Sequence, residues 1–129
     1  AEEFAAEVMR LVNEERAGQK LEPFASDEKL AKAALVRAEE SATRFAHERP
    51  DGTSVSTAFS DEGISYAKVG ENLGRGHKTP EALVKDWMDS KAHKANILSE
   101  TFTAAELGYY KNSAGTIHAA LMFLTPAKS

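Results

Sequence analysis

His47, Glu71 and His93 are the three side chains whose types could do chemistry together. They are far apart along the chain, and each falls beside turn-forming or glycine residues at the end of an expected element. Two imidazoles and a carboxylate converging in a cleft would suit a divalent ion such as zinc, with water completing the shell. The same set would also suit general acid–base work. Each residue has a structural alternative. His47 could sit at a helix end and interact with the helix dipole. Glu71 could accept backbone hydrogen bonds and pin a loop. His93 could cap a short helix.

The stretch around Glu71 reads Val69-Gly70-Glu71-Asn72-Leu73-Gly74-Arg75-Gly76-His77. Glycines this close together let the backbone turn tightly or approach another group without a Cβ clash. Several familiar site patterns fail. His47-Glu48-Arg49-Pro50-Asp51 lacks the second histidine of HExxH, and its proline would break a continuing helix. His77 spoils the Gly-to-Lys spacing of a phosphate-binding loop, and Gly70, Gly74 and Gly76 do not make G-x-G-x-x-G. There is no G-x-S-x-G elbow. The common nucleotide-binding and serine-hydrolase classes are thereby set aside.

A length of 129 residues points to one domain, 1–129, with room for a core that needs no staples. With no cysteine, disulfides, thiolate metal sites and cysteine nucleophiles are excluded. The formal net charge of -4 argues against a nucleic-acid partner, which would favour a basic face. No apolar run is long enough for a transmembrane segment. No signal peptide is present, and Ala1 leads almost directly into an amphipathic pattern, as expected of a mature or trimmed product.

The elements that must position these residues follow from periodicity and caps. Residues 2–17 read as a helix, with Phe4, Val8, Leu11 and Val12 on one face and Gly18 as its stop. Ser26 or Asp27 can cap a second helix through about residue 45, with Leu30, Ala34, Ala38 and Phe45 on its apolar face. Arg49-Pro50-Asp51-Gly52 reads as a turn. A short helix is expected around Ser56–Phe59 and a short strand over Ala67–Leu73. Thr79-Pro80-Glu81 starts a helix that carries Leu83, Val84, Trp87 and Met88 and ends near Ser90. A further short helix spans about His93–Leu98. Ala104–Lys111 and Thr116–Leu124 read as strands joined by the Asn112–Gly115 loop. The order predicts an α+β fold in which helices cover an antiparallel sheet. Trp87 and Met88 belong to the core, and His118 is a partly buried sheet residue. His77 lies exposed in its loop. Asn72 and Asn96 satisfy backbone groups around the cleft.

Three motifs in order, H-x-R-P-D-G at His47, G-E-N-L at Gly70 and W-M-x-S-x-x-H-x-x-N-I-L at Trp87, with a closing hairpin, resemble the CAP superfamily. That superfamily includes cysteine-rich secretory proteins, wasp antigen 5 and plant pathogenesis-related class 1 proteins. The resemblance covers nearly the whole chain and is greatest to the bacterial, cysteine-free branch. It implies an α-β-α sandwich with a small antiparallel sheet between helical layers. It also implies secretion, and a large cleft holding two histidines and two acidic residues. His47 matches the first histidine, Glu71 the glutamate of G-E-N, and His93 the second histidine, judged by its distance to Gly108. The second acidic position falls near Ser90, and a serine cannot replace a carboxylate as base or anionic ligand. Asp89 is next door but, one residue along a helix, points about 100° away. Ala92 and Lys94 stand where the bacterial motif usually has Gly and Arg, and Gly74 stands where it usually has Ala.

The expected cleft is therefore His47, Glu71, Asn72, Ser90 and His93. His47 and His93 are the metal ligands expected for zinc, and His47, Glu71 and His93 are the candidates for any catalytic role. The reading that follows is a secreted, extracellular binding module whose cleft takes a divalent metal and an extracellular ligand. A metal-assisted hydrolase, such as a peptidase, is the first alternative, because a metal-activated water would be its only nucleophile. A lipid or sterol carrier, an activity the resemblance allows, is the second.

Overall fold

A computed structural model describes residues 1–128 of the chain. Its elements are α1 (Glu2–Gly18), α2 (Glu28–Thr43), α3 (Ser56–Asp61), β1 (Tyr66–Arg75), α4 (Pro80–Met88), α5 (Lys91–Ile97), β2 (Ala104–Lys111) and β3 (Ile117–Pro126). The three strands form one antiparallel sheet in the order β1-β3-β2. α2 lies on one face of the sheet, and α1, α4 and α5 lie on the other, giving the expected three layers.

β3 shows why the layers form. It is the central strand, and successive side chains point to opposite faces. Ala119, Leu121 and Phe123 enter the core that also takes Val8 and Val12 of α1, Leu83 and Trp87 of α4, and Ile97 of α5. Ala120, Met122 and Leu124 face the other way and pack with Leu30, Ala34 and Ala38 of α2. The alanines of α2 let its backbone come down onto β2 at Gly108, where a Cβ would run into the Ala34 carbonyl. Phe123 stacks on Phe102, with ring centroids 5.4 Å apart.

Local signals set most element ends. The Asp27 side chain accepts from Leu30 N and starts α2, and the Thr79 side chain accepts from Ala82 N and starts α4, with Pro80 in the first turn. In the hairpin, Asn112 Oδ1 accepts from the backbone N–H of Ala114 and Thr116, and Gly115 takes a φ of 86°. The turn at Arg49 closes with Gly52 N donating to Arg49 O at 2.8 Å.

Several expectations need correction. Gly18 is the last residue of α1, and the left-handed residue that redirects the chain is Lys20, φ 60°. α2 ends at Thr43, so Phe45 lies beyond its apolar face and is 44% exposed. Arg44 turns extended at the helix end and swings Phe45 off the stripe.

Both rims of the sheet carry irregular backbone. β1 has a register shift between Tyr66 and Lys68. β2 is flanked at its start by Ala25, which forms an isolated parallel bridge with Ala104.

Candidate functional site

Glu71 is the centre of the site. It lies on β1 with its side chain toward α2, as Leu73 does. Its carboxylate is 1% exposed, and Arg37 of α2, 0% exposed, holds it. Arg37 Nε donates to Glu71 Oε2 at 2.6 Å and Arg37 Nη2 to Oε1 at 3.0 Å. His47 is the third member, with Nδ1 at 2.9 Å from Glu71 Oε1. An ionised carboxylate only accepts, so the neutral imidazole carries its proton on Nδ1 and leaves Nε2 to meet a ligand. The His47 side chain is 63% exposed, so this nitrogen is within reach.

A second arginine fixes the loop that carries His47. Arg37 Nη2 donates to Ala46 O at 2.8 Å, just before His47. Arg49, just after it, donates from Nη2 and Nε to Glu40 and from Nη1 to Asp61 and Thr57. Glu40 accepts from both arginines, because Arg37 Nη1 also reaches it at 2.9 Å. Burial alone would raise the Glu40 pKa, but the bonds from Arg49 and Arg37 outweigh it and lower the pKa.

α5 meets β1 from the other side. Asn72 is fully buried on the opposite face of β1 from Glu71 and donates from Nδ2 to His93 O at 3.0 Å. Asn96 donates to Asn72 Oδ1 at 2.9 Å, so it satisfies a carboxamide and not the backbone group expected. Trp87 Nε1 donates to Leu73 O at 2.9 Å and ties α4 to the same strand. The two imidazoles differ in basicity. The bond to Glu71 raises the His47 pKa above the ordinary histidine value. Burial, then the nearby charge of His47, lowers that of His93.

Ser90 is the residue preceding α5 and makes no capping bond with its side chain. Asp89 pairs with Lys85 at 2.9 Å and lines the α1–α4 side with Leu11, Glu15 and Glu81, away from Glu71. Among the described residues no group of three or more His, Cys, Asp or Glu side chains is placed to hold a metal ion. Glu71 accepts from Arg37 and His47, which leaves His47 and His93 as the expected ligands still to be weighed. That set does not fit a tightly held resident metal, for which three or four protein ligands are usual.

Two other histidines depart from expectation. His77 is only partly exposed: Nε2 lies 2.8 Å from Asp86 Oδ2, while its buried Nδ1 meets no partner among the described residues. His118 is nearly fully buried, at 3% exposure. Arg37, Glu40 and Arg49 escaped the sequence reading as site residues. Arg37 gave one signal, since it falls on the Leu30–Ala34–Ala38 stripe, where a charge demands a partner.

The cysteine-rich secretory protein family model (CAP) matches residues 9–123. The chain belongs to the CAP family. A CAP relative, the uncharacterized protein YkwD of Bacillus subtilis (strain 168), is 38% identical over 111 residues, which cover 84% of this chain. The chain spans 43% of that relative's length. Among solved structures, an extracellular protein containing a SCP domain from Bacillus anthracis aligns with TM-score 0.87 at 22% identity, over 95% of this chain and 40% of that one. An outer surface protein of Borrelia burgdorferi aligns with TM-score 0.81 at 19% identity, over 93% of this chain and 90% of that one. At these identities the likeness shows the CAP fold alone. Among the described residues of this CAP chain, no helix is long and apolar enough to cross a membrane.

Proposed function

We propose that residues 1–129 form a single CAP domain that works outside the cell as a binding module, its polar cleft gripping an extracellular ligand between His47 and His93. The extracellular setting is supported by relatives described as extracellular or outer-surface proteins. One observation carries the choice of binding over catalysis. Glu71 accepts three hydrogen bonds, two from Arg37 and one from His47, so this buried, arginine-paired carboxylate serves as an orienting acceptor and not as a base. Glu71 orients an imidazole, and the imidazoles meet the ligand. A divalent ion such as zinc is a weak guest in this reading, held by His47 and His93 with water in the other positions.

Calorimetric titration with zinc, at neutral pH and at pH 5, tests the cleft. Weak binding that fades at pH 5 and disappears in His47→Ala/His93→Ala is expected, because an imidazole must be neutral to bind. Equal binding by the double variant would move the metal to another site. Incubation with mixed peptides and simple esters, with and without zinc, is expected to give no turnover. Turnover that His47→Ala abolishes would replace the binding reading with a metal-assisted hydrolase.

A further inference from the structure

The middle of β2 has an open outer edge. Residues along a strand turn their N–H and C=O groups to one side and the other in alternation. Ala105 N points away from β3 and donates to Ala25 O at 3.2 Å, so Leu107 and Tyr109, next in the same alternation, also point outward. Past Ala25 that side of the strand is unpaired. Among the described residues, no backbone or side-chain group bonds the outward N–H or C=O of Leu107 or Tyr109. Leu107 is only 7% exposed, and backbone groups shielded from water are costly to leave without partners.

A groove of about 340 Å³ follows this edge. It touches residues of all three layers, which only the rim of the sheet can do. Glu2 and Ala5 of α1 form one wall, Ala31 and Leu35 of α2 form the other, and Leu107 and Tyr109 lie at its base. The alanines leave room on both walls, and Leu35, 47% exposed, presents apolar surface.

Apolar walls over a base of unpaired N–H and C=O groups complement an extended polypeptide, whose own backbone groups repeat at the spacing of a strand. A lipid tail would cover the walls and leave the base unpaired. The position of α2 decides which kind of chain fits. Its backbone sits directly on β2, where a Cβ at Gly108 would strike the Ala34 carbonyl. A second copy joined edge to edge would bring its own α2 to about 5 Å from the first, one strand spacing, whereas packed helices stand about 8–10 Å apart. A strand with no helix lying on it meets no such clash.

We propose that the open edge of β2 is a docking site for a short extended segment of another protein, which adds to the sheet beside Leu107 and Tyr109. The segment is short because Ala25 occupies the edge at one end and the chain turns at Asn112 at the other. Its side chains alternate between the α1 wall and the α2 wall, so it is apolar on both faces.

The probe is a blocked peptide in which valine and alanine alternate between terminal lysines. Its control carries a methyl group on every backbone nitrogen, which keeps the side chains and removes the donors. Backbone amides of the whole chain are followed by NMR. In the free chain, the Leu107 and Tyr109 amides are expected to exchange with solvent faster than those of Glu106 and Gly108, which face β3. The parent peptide should shift the Leu107 and Tyr109 amides, slow their exchange, and bind about tenfold more tightly than the methylated control. Leu35→Asn, an exposed change expected to leave the thermal midpoint in place, should weaken the parent peptide several-fold. Equal protection of all four amides in the free chain would overturn the open edge. Equal binding of the two peptides, binding untouched by Leu35→Asn, no shift at millimolar peptide, or shifts at His47 and His93 in place of Leu107 and Tyr109 would overturn the docking site. Dimerisation of the chain alone, seen by sedimentation and abolished by Leu35→Asn, would make a second copy the occupant and overturn it as well.

Discussion

The Arg37 guanidinium holds both oxygens of the Glu71 carboxylate in a fork, at 2.6 Å and 3.0 Å, with neither side chain open to water. Such a pair gains mutual attraction and loses hydration in nearly equal measure, so its net contribution to stability is small. Removing one member is different, because the other is left as a buried, unmatched charge. The pair joins α2 to β1 and holds the acceptor that orients His47.

Arg37→Met should therefore destabilise the chain by about 3–5 kcal/mol in chemical denaturation. The double variant Arg37→Met/Glu71→Met should recover much of that loss, since neither charge is then stranded. Additive losses in the two single variants and the double variant would contradict the coupling.

His47 and His93 should give stability opposite dependences on pH. The His47 pKa is raised above 6.5, chiefly by its bond to Glu71. The stabilisation from that bond is fully present below about pH 6.5 and is lost as pH rises through the folded pKa. The His93 pKa is lowered below 6.5, by burial first and by His47 second. Its contribution is present above about pH 6.5 and is lost as pH falls through the folded pKa. NMR titration of the imidazole protons should place the His47 midpoint above that of His93. Glu71→Gln should bring the His47 midpoint down, and a reversed order of midpoints would refute the geometry.

Trp87 is 1% exposed and donates to Leu73 O. Trp87→Ala should cost about 3–5 kcal/mol in chemical denaturation, from lost burial and the cavity left behind. The Leu73 carbonyl also loses its donor. A loss well under about 1 kcal/mol would mean that α4 is not anchored to β1 in this way.

Two glycines should respond oppositely to the same change. At Gly108 an added Cβ would collide with the Ala34 backbone on α2, which cannot rotate away as a side chain would. Gly108→Ala should cost at least the upper end of the about 1–3 kcal/mol typical of overpacking. At Gly18, the last residue of α1, an added Cβ meets nothing within 4 Å. Gly18→Ala should be neutral or stabilise by up to about 1 kcal/mol. Thermal unfolding of the two variants checks both signs.

Much of the fold was legible because its signals are local. The caps at Asp27 and Thr79, the apolar period of α1 and the Asn112–Gly115 hairpin each need only a few neighbouring residues. The His47–Glu71 contact was foreseeable through the family resemblance and not through spacing. The Arg37–Glu71 fork joins residues 34 positions apart, and no local rule pairs them. The lone charge on the α2 stripe announced that a partner existed without saying which. Phe45 was misplaced because helical spacing carries it on from Ala38, whereas the backbone leaves the helix at Arg44. The burial of His77 and His118 comes from neighbours brought in by tertiary packing, which a residue's own flanks do not record.

The irregular rims of the sheet bear on how the molecule behaves in a crowd. An open, flat edge strand invites another chain to add itself and begin an aggregate. Here β1 starts with a break in register beside Lys68, and a regular neighbour cannot continue across such a break. At the other rim Ala25 donates to Thr103 O and accepts from Ala105 N, which uses the backbone groups an incoming strand would need. Both devices act at the start of their strands and make those ends poor templates for an incoming chain at high concentration.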